Sequence, residues 1–390
     1  MKLTKLFSEF FESEKAGGVI LVCATILSLV LANSDWQHGY SSIWQSHVGG
    51  HTITHWINDG LMTIFFLMIG LELEREIYQG ELSDLKNAAL PIFGALGGMI
   101  VPAAIYILFN LGWETISGAG IPMATDIAFA IGILSLLGDR VPASLKVFLT
   151  ALAVMDDLGA IIMIALFYTS TFEFTYLAIA LGIFAILILL NRLRVFNLIP
   201  YLIGGSAMWY FMLHSGVHAT ITGVLLAFAI PFSDGGERSP SYILQHVLHR
   251  PVAFIILPIF ALANTSIPIG GDWANGLLQL SSIGIMAGLL IGKPLGIWGF
   301  TYIATKAKFC TLPSELNWKH MLGAGFLGGI GFTMSIFITL LAFDDAELVN
   351  DSKIAILIAS VLAGTIGLLL LHGTLEKSRP DLDPRSGTIT

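Results

Sequence analysis

Charge is scarce in this chain: Asp, Glu, Lys and Arg make up 12% of its 390 residues, about half the share usual in a soluble domain. No basic run exists and the net charge is −8, which excludes nucleic acid as a partner. Cysteine is scarcer still. Cys23 falls in the first apolar stretch and Cys310 in a later basic loop, so a disulfide framework is excluded. No Gly-x4-Gly-Lys-Ser/Thr loop occurs, so nucleotide hydrolysis does not supply energy, and no cofactor is implied.

Apolar residues take the place of charge, at 55% of the chain with 41 glycines. Apolar runs occur near 14–32, 59–73, 88–110, 121–137, 147–168, 175–191, 199–213, 217–231, 246–264, 281–304, 319–342 and 354–372. A membrane-crossing helix needs roughly 20 apolar residues, so these runs predict a single integral membrane domain of twelve spans over 1–390. Short tails are expected at about 1–13 and 374–390. The run from Gly17 to Leu31 has the look of a signal-peptide core, but the many later spans favour a retained first helix. The ninth run is strongly apolar only over Val252 to Ala263, so its helix is expected to begin earlier, near His246 and His249. Re-entrant segments remain an alternative for the fourth and ninth runs.

Basic residues test the count independently. Seventeen of the nineteen lysines and arginines fall in alternate loops or at the two ends, on one side of the predicted spans. The positive-inside rule makes that side, and both termini, cytoplasmic. Lys353 lies opposite, in a loop with Asp344, Asp345, Glu347 and Asp351. The remaining cation, Lys293, falls near the middle of the tenth span.

Asp156 and Asp157 stand side by side near the middle of the fifth span. Ionisable groups at that depth are costly and are functional by default. Two adjacent carboxylates repel when both are charged, and a bound cation or proton relieves the repulsion. The pair therefore points to cation or proton transport. Lys293 at similar depth lowers the burial cost of both signs of charge. Adjacent helical residues point about 100° apart, so the two aspartates suit separate roles.

Two spans carry interruptions. The fourth reads Gly120-Ile-Pro-Met-Ala-Thr-Asp-Ile-Ala-Phe-Ala-Ile-Gly132, and the eleventh reads Gly323-Ala-Gly-Phe-Leu-Gly-Gly-Ile-Gly-Phe-Thr333. By parity, spans 3–5 and 10–12 run in opposite directions, which makes them inverted triplets. Broken helices at corresponding positions of such repeats point to a transporter binding site. Close packing through small residues, as at Gly325 and Gly329, is the plainer account of the eleventh alone.

The motifs Gly70-Leu-Glu-Leu-Glu-Arg-Glu76, Ala124-Thr-Asp-Ile-Ala-Phe-Ala130, Met155-Asp-Asp-Leu-Gly159, Gly216-Val-His-Ala-Thr220, Gly292-Lys-Pro-Leu-Gly296 and Gly323 to Ser335 occur in this order over nearly the full length. In them the chain resembles the bacterial sodium/proton antiporters of the NhaA family. That family serves as a standard example of inverted repeats, so the repeat reading is not independent of the resemblance. The resemblance implies an all-α inner-membrane exporter of Na⁺, and of Li⁺, in exchange for inward H⁺. The broken spans would cross near the midplane. Asp126 would face positive half-helix ends and Lys293 negative ones, each offsetting like dipole ends. Thr125 would offer a hydroxyl or a freed carbonyl to the ion. Asp157 is the leading Na⁺ and proton ligand by the same resemblance, with Asp156 sharing that work and pairing with Lys293.

Other polar residues are assigned more loosely. Glu72 and Glu76 share one face of the second span, as an acidic cytoplasmic funnel or a solvated helix end. Asp59 is expected to cap the opposite end of that span. His246 and His249 suit a pH response, although Gln245 stands where the family often has glutamate. His218 suits a helix-end hydrogen bond or a regulatory role. His51 and His55 flank no other ligand, and Gly49-Gly50 beside them suits a β-hairpin rather than a metal site. In the family such a hairpin, in the first periplasmic loop, contributes to homodimer contacts. The partners expected are Na⁺, Li⁺, H⁺, membrane lipid and a second copy of the chain. A Na⁺- or H⁺-coupled symporter of a small organic solute is the alternative. An intramembrane aspartyl protease is disfavoured by Lys293 and by the lack of a Gly-x-Gly-Asp motif.

Overall fold

A computed structural model of the chain describes residues 5–83, 85–168, 173–233, 235–270 and 273–375. Residues 1–4 of the first expected tail and 376–390 of the second lie outside the described residues, and residues 5–13 already belong to the helix Lys5–Ala32. The described chain is almost wholly helical, and its one described sheet is a hairpin of His47–Val48 with His51–Thr52. Gly49 and Gly50 form the hairpin turn at φ 61° and 94°, a backbone region that a side chain disfavours.

Among the described residues, eight helices are long and apolar enough to cross a membrane, and the count reaches ten if each of two bent pairs is one span. The expected spans near 199–213 and 217–231 are the two that fall short. They form Leu198–Leu213, of 16 residues, and Ile221–Ala229, of nine. At 1.5 Å per residue, nine residues cover about 14 Å of a hydrocarbon core about 30 Å thick. The ninth run is one helix, Pro240–Asn264, rather than a re-entrant segment. It begins well before its apolar core, where Ser239 accepts from the N–H of Tyr242 and Pro240 fills the first turn.

Large apolar side chains such as Phe174, Leu189, Ile203 and Leu369 are exposed on the outside of the bundle. A bilayer accepts these surfaces and water does not. Inside, backbones meet through glycine. A Cβ at Gly97 would lie 2.1 Å from the Gly296 carbonyl oxygen, so the Leu85–Asn110 and Leu280–Lys306 helices touch main chain to main chain.

Among the described residues, three helices contain a π-helical stretch, at Trp56–Leu61, Val252–Ile256 and Gly288–Gly292. Such bulges frequently mark functional sites. The third ends immediately before Lys293. Pro294 follows, so no N–H at that position donates back along the helix.

Both expected interruptions are real breaks. The fourth run is a 3₁₀ helix, Glu114–Met123, then an extended turn at Ala124 and Asp126, then the helix Ile127–Ser135. The 3₁₀ segment begins earlier than expected, inside what reads as the loop 111–120. The hydroxyls of Tyr106 and Tyr168 hold it there by donating to the carbonyls of Thr115 and Ser117 at 2.7 Å each. The eleventh run is Trp318–Gly328 and Phe332–Ala342, bent by 47°. Close packing also holds here, since a Cβ at Gly325 would meet Pro294 backbone at 2.9 Å. A broken helix and close packing therefore coexist at those glycines.

A candidate ion site where two broken helices meet

The two breaks touch each other. The N–H of Asp126 donates to the carbonyl of Ile330 at 2.7 Å, and the Ser335 hydroxyl donates to the carbonyl of Ile121 at 2.7 Å. Backbone groups freed by one interruption are thus satisfied by the other, which buried polar groups require.

Asp126 sits at two helix starts. One carboxylate oxygen caps Ile127–Ser135 by accepting from Phe129 N at 2.9 Å. The other accepts from Thr333 N at 3.1 Å, in the first turn of Phe332–Ala342, and from the Thr333 hydroxyl. Its charge thus meets the positive ends of two half-helices. Lys293 has the reverse setting. Its ammonium donates to the carbonyl of Met123, the last residue of the 3₁₀ helix, and to Oδ2 of Asp156. Lys293 is fully buried and its ion pair is with Asp156, so Lys293 and Asp126 are compensated by different partners.

Thr125, in the extended turn, places its hydroxyl 2.8 Å from Asp156 Oδ2 and 2.7 Å from the Gly328 carbonyl. Having one proton, it donates to one of these at a time. Gly328 ends the first half of the other broken helix. One threonine therefore ties both breaks to the carboxylates on the Ala143–Phe167 helix.

Asp156 and Asp157 occupy different surroundings, as their helical offset requires. Asp156 faces Lys293 and Thr125. Asp157 is fully buried, and neither of its oxygens has a hydrogen-bond partner among the described residues. It lines a small cavity with Asp126, Thr333 and Glu72. A charge on Asp157 thus requires a mobile cation or proton beside it. Five of the expected site residues, Thr125, Asp126, Asp156, Asp157 and Lys293, come together in this way.

The outer assignments divide. Glu72 is buried to 1% exposure and reaches the cavity, so it is no solvated helix end. Glu76 accepts from Arg75 Nη2 at 3.1 Å, farther along the same helix. His246 is exposed and stacks on Tyr242, with ring centroids 6.3 Å apart, and neither it nor His249 lines the cavity. Gln245 beside them is buried. His218 Nε2 lies 2.8 Å from the carbonyl of Tyr168, a hydrogen bond at the end of the Ala143–Phe167 helix. Asp59 is not a cap. It lies within the π-helical turn and its carboxylate pairs with His55 Nδ1 at 3.1 Å, while Thr52 caps this helix by accepting from His55 N. The rings of His51 and His55 stack at 4.3 Å, and no cluster of three or more potential ligands for a resident metal occurs among the described residues.

Two contributors escape a reading of the sequence alone. Thr333 lies inside the glycine-rich motif from Gly323 to Ser335, and its place just after the last glycine is the available signal. The Met123 carbonyl has none, because any residue type supplies a carbonyl.

Comparison with known proteins places nearly the whole chain in one family. The model of the family described as Na⁺/H⁺ antiporter 1 matches residues 8–371. The chain is 65% identical over 379 residues to Na(+)/H(+) antiporter NhaA 1 of Flavobacterium johnsoniae, covering 97% of this chain and 100% of that protein. It is 63% identical to Na(+)/H(+) antiporter NhaA of Flavobacterium psychrophilum (97% and 98% covered), and 63% identical to the one of Cytophaga hutchinsonii (97% and 97%).

Proposed function

The chain belongs to the Na⁺/H⁺ antiporter 1 family, and from that premise we propose that it is a multi-pass membrane protein exchanging Na⁺ for H⁺ at the buried carboxylates. The observation that carries this reading is Asp157, wholly buried, without a donor at either oxygen, in a cavity between two broken helices. Such a group binds a cation or a proton but not both, and that mutual exclusion is the chemistry of exchange. Asp157 and Asp156 hold the transported Na⁺ or protons, with Thr125 supplying a further oxygen. Asp126 and Lys293 hold the broken helices together by neutralising their ends.

The cycle exports Na⁺ and takes up H⁺, and Li⁺ is an expected second substrate because the site offers hard oxygen donors. More than one proton leaves for each Na⁺ bound if two carboxylates, or one carboxylate and Lys293, titrate together. Each net charge moved is then worth about 2.3 kcal/mol per 100 mV, so a membrane potential drives export. We read the two breaks as the fourth and eleventh of twelve spans, in inverted triplets 3–5 and 10–12. The protein would lie in a bacterial inner membrane with both termini cytoplasmic, and the hairpin would join two copies. Glu76, His246, His249 and His218 are left for the funnel or the pH response.

No enzymatic step is involved. The symporter alternative finds no support, since the matched relatives carry antiporter names. The test is ²²Na⁺ uptake into proteoliposomes under an imposed pH gradient, with no organic solute present. Uptake that needs an added solute would overturn the exchange reading.

A further inference from the structure

The cavity beneath Asp157 has a second acidic wall from another helix. Glu72, on Ile53–Tyr78, lines it with Asp126, Asp157 and Thr333. Its side chain is 1% exposed and its Oε1 accepts no hydrogen bond. Arg75 Nη2 stands 3.6 Å from that oxygen, a long ion pair without a hydrogen bond, and is hydrogen-bonded instead to Glu76 Oε1 at 3.1 Å. The arginine is therefore anchored away from the cavity. Within the cavity, Asp126 and Thr333 are committed to each other, and the rest of the wall is apolar, as at Phe65 and Leu257. Asp157 and Glu72 are left as the two acidic groups facing the space without a donor inside it.

Two buried carboxylates on different helices, one with only a long ion pair to Arg75 outside the cavity lining and the other with none, carry a demand for positive charge that is only partly met. We propose that Glu72 is a further ligand of the transported cation, beyond those on the Asp156 side: within this cavity Na⁺ is held between Asp157 and Glu72, and Arg75 takes its place on Glu72 when the ion departs. The oxygen donors suit a hard monovalent ion. Because the ligands belong to separate helices, a relative shift of those helices parts them and frees the ion toward the Arg75 end of Ile53–Tyr78. This inference rests on the exchange reading above and gives Glu72 a direct role in place of a funnel or sensing role.

The test is equilibrium ²²Na⁺ binding to the purified full chain in detergent, paired with flux in proteoliposomes, over a range of alkaline pH. Glu72→Gln is expected to raise the Kd and KM for Na⁺ about tenfold, equivalent to 1.4 kcal/mol, at every pH. Glu72→Asp keeps the charge but withdraws it by one methylene, and a smaller rise is expected. It also keeps the test decisive if the glutamine variant does not fold. An unchanged Kd in either Glu72 variant overturns the proposal, as does a displaced pH profile with unchanged Kd at its alkaline plateau. Asp157→Asn separates the two levels of argument. Lost binding there with intact binding in Glu72→Gln refutes the Glu72 role alone, whereas intact binding in Asp157→Asn refutes the site itself.

Discussion

Lys293 donates to Oδ2 of Asp156, whereas Asp157, the next residue on the same helix, meets no donor at either oxygen among the described residues. One turn of helix thus presents a neutralised carboxylate on one side and an unneutralised one on the other. The first is paired with a fixed cation in this structure, and the second has none.

Removing the lysine should therefore damage the fold before it damages the chemistry. Lys293→Ala leaves Asp156 without its cation and the Met123 carbonyl without its donor, both wholly inside the protein. Breaking a buried pair from one side costs about 3–5 kcal/mol. A lowered thermal midpoint in detergent is expected whatever happens to transport. An unchanged midpoint would show that the pair contributes nothing in the resting state.

The aspartates should respond unequally. Asp157→Asn is expected to abolish ²²Na⁺ exchange with the fold retained, because an amide takes up no proton and carries no charge. Asp156→Asn keeps an acceptor for Lys293 and Thr125, so exchange should fall strongly without vanishing. Wild-type flux in the Asp157 variant would sink the mechanism.

Asp126 offers a test of helix-end compensation. Thr333→Val removes the hydroxyl donor but retains the backbone N–H at the same carboxylate oxygen. Losing a hydrogen bond to a buried charged group costs about 1.5–3 kcal/mol. The midpoint should drop accordingly, and Thr333→Ser should restore most of it. Equal loss in both variants would mean that the methyl group, which valine keeps and serine lacks, contributes as much as the hydroxyl.

Much of this site can be read from the chain itself. Buried charges in apolar runs are rare enough that Asp126, Asp156, Asp157 and Lys293 select themselves, and Pro122 and the glycines around 323–331 announce the two breaks. Contacts made by ordinary residue types cannot be read. The Met123 carbonyl has no signature, and the reach of Glu72 into the cavity depends on how Ile53–Tyr78 is rotated against Ala143–Phe167. Hydropathy alone misleads on length: the run near 217–231 looks like a span, yet its start at His218 to Thr220 is a turn and only nine residues continue as helix. Asp59 misleads because a polar residue near a run's end resembles a cap, while the helix extends a further turn and more beyond it, to Ile53.

Contact between helix backbones should make one glycine indispensable and another dispensable. Gly97→Ala drives a methyl group to 2.1 Å from the Gly296 carbonyl oxygen, forcing two helices apart. Overpacking of this kind costs about 1–3 kcal/mol, and the rigid backbone places it at the upper end. Gly299, on the helix that carries Lys293, has open space around it, with nothing within 4 Å of where a Cβ would sit. Gly299→Ala should be neutral or should stabilise by up to about 1 kcal/mol through helix propensity. Thermal midpoints of the two variants, measured side by side, decide it. Equal midpoints would refute the close-contact account.

Competition at the carboxylates has a defined pH signature. If Na⁺ and H⁺ bind the same oxygens, falling pH fills them with protons and weakens apparent Na⁺ affinity. Below the relevant pKa the loss reaches about tenfold per pH unit for each competing proton. Raising Na⁺ on the binding side should then restore the full rate at mildly acidic pH. A separate sensor behaves differently, because protonation elsewhere lowers the maximal rate and no amount of Na⁺ recovers it. The structure favours competition. His246 is exposed and lies outside the cavity, and buried Gln245 cannot titrate. Exchange rates measured at several pH values across a wide Na⁺ range separate the two. Recovery at saturating Na⁺ is the expected result, and a persistent loss would shift the origin of pH control to His246 and His249.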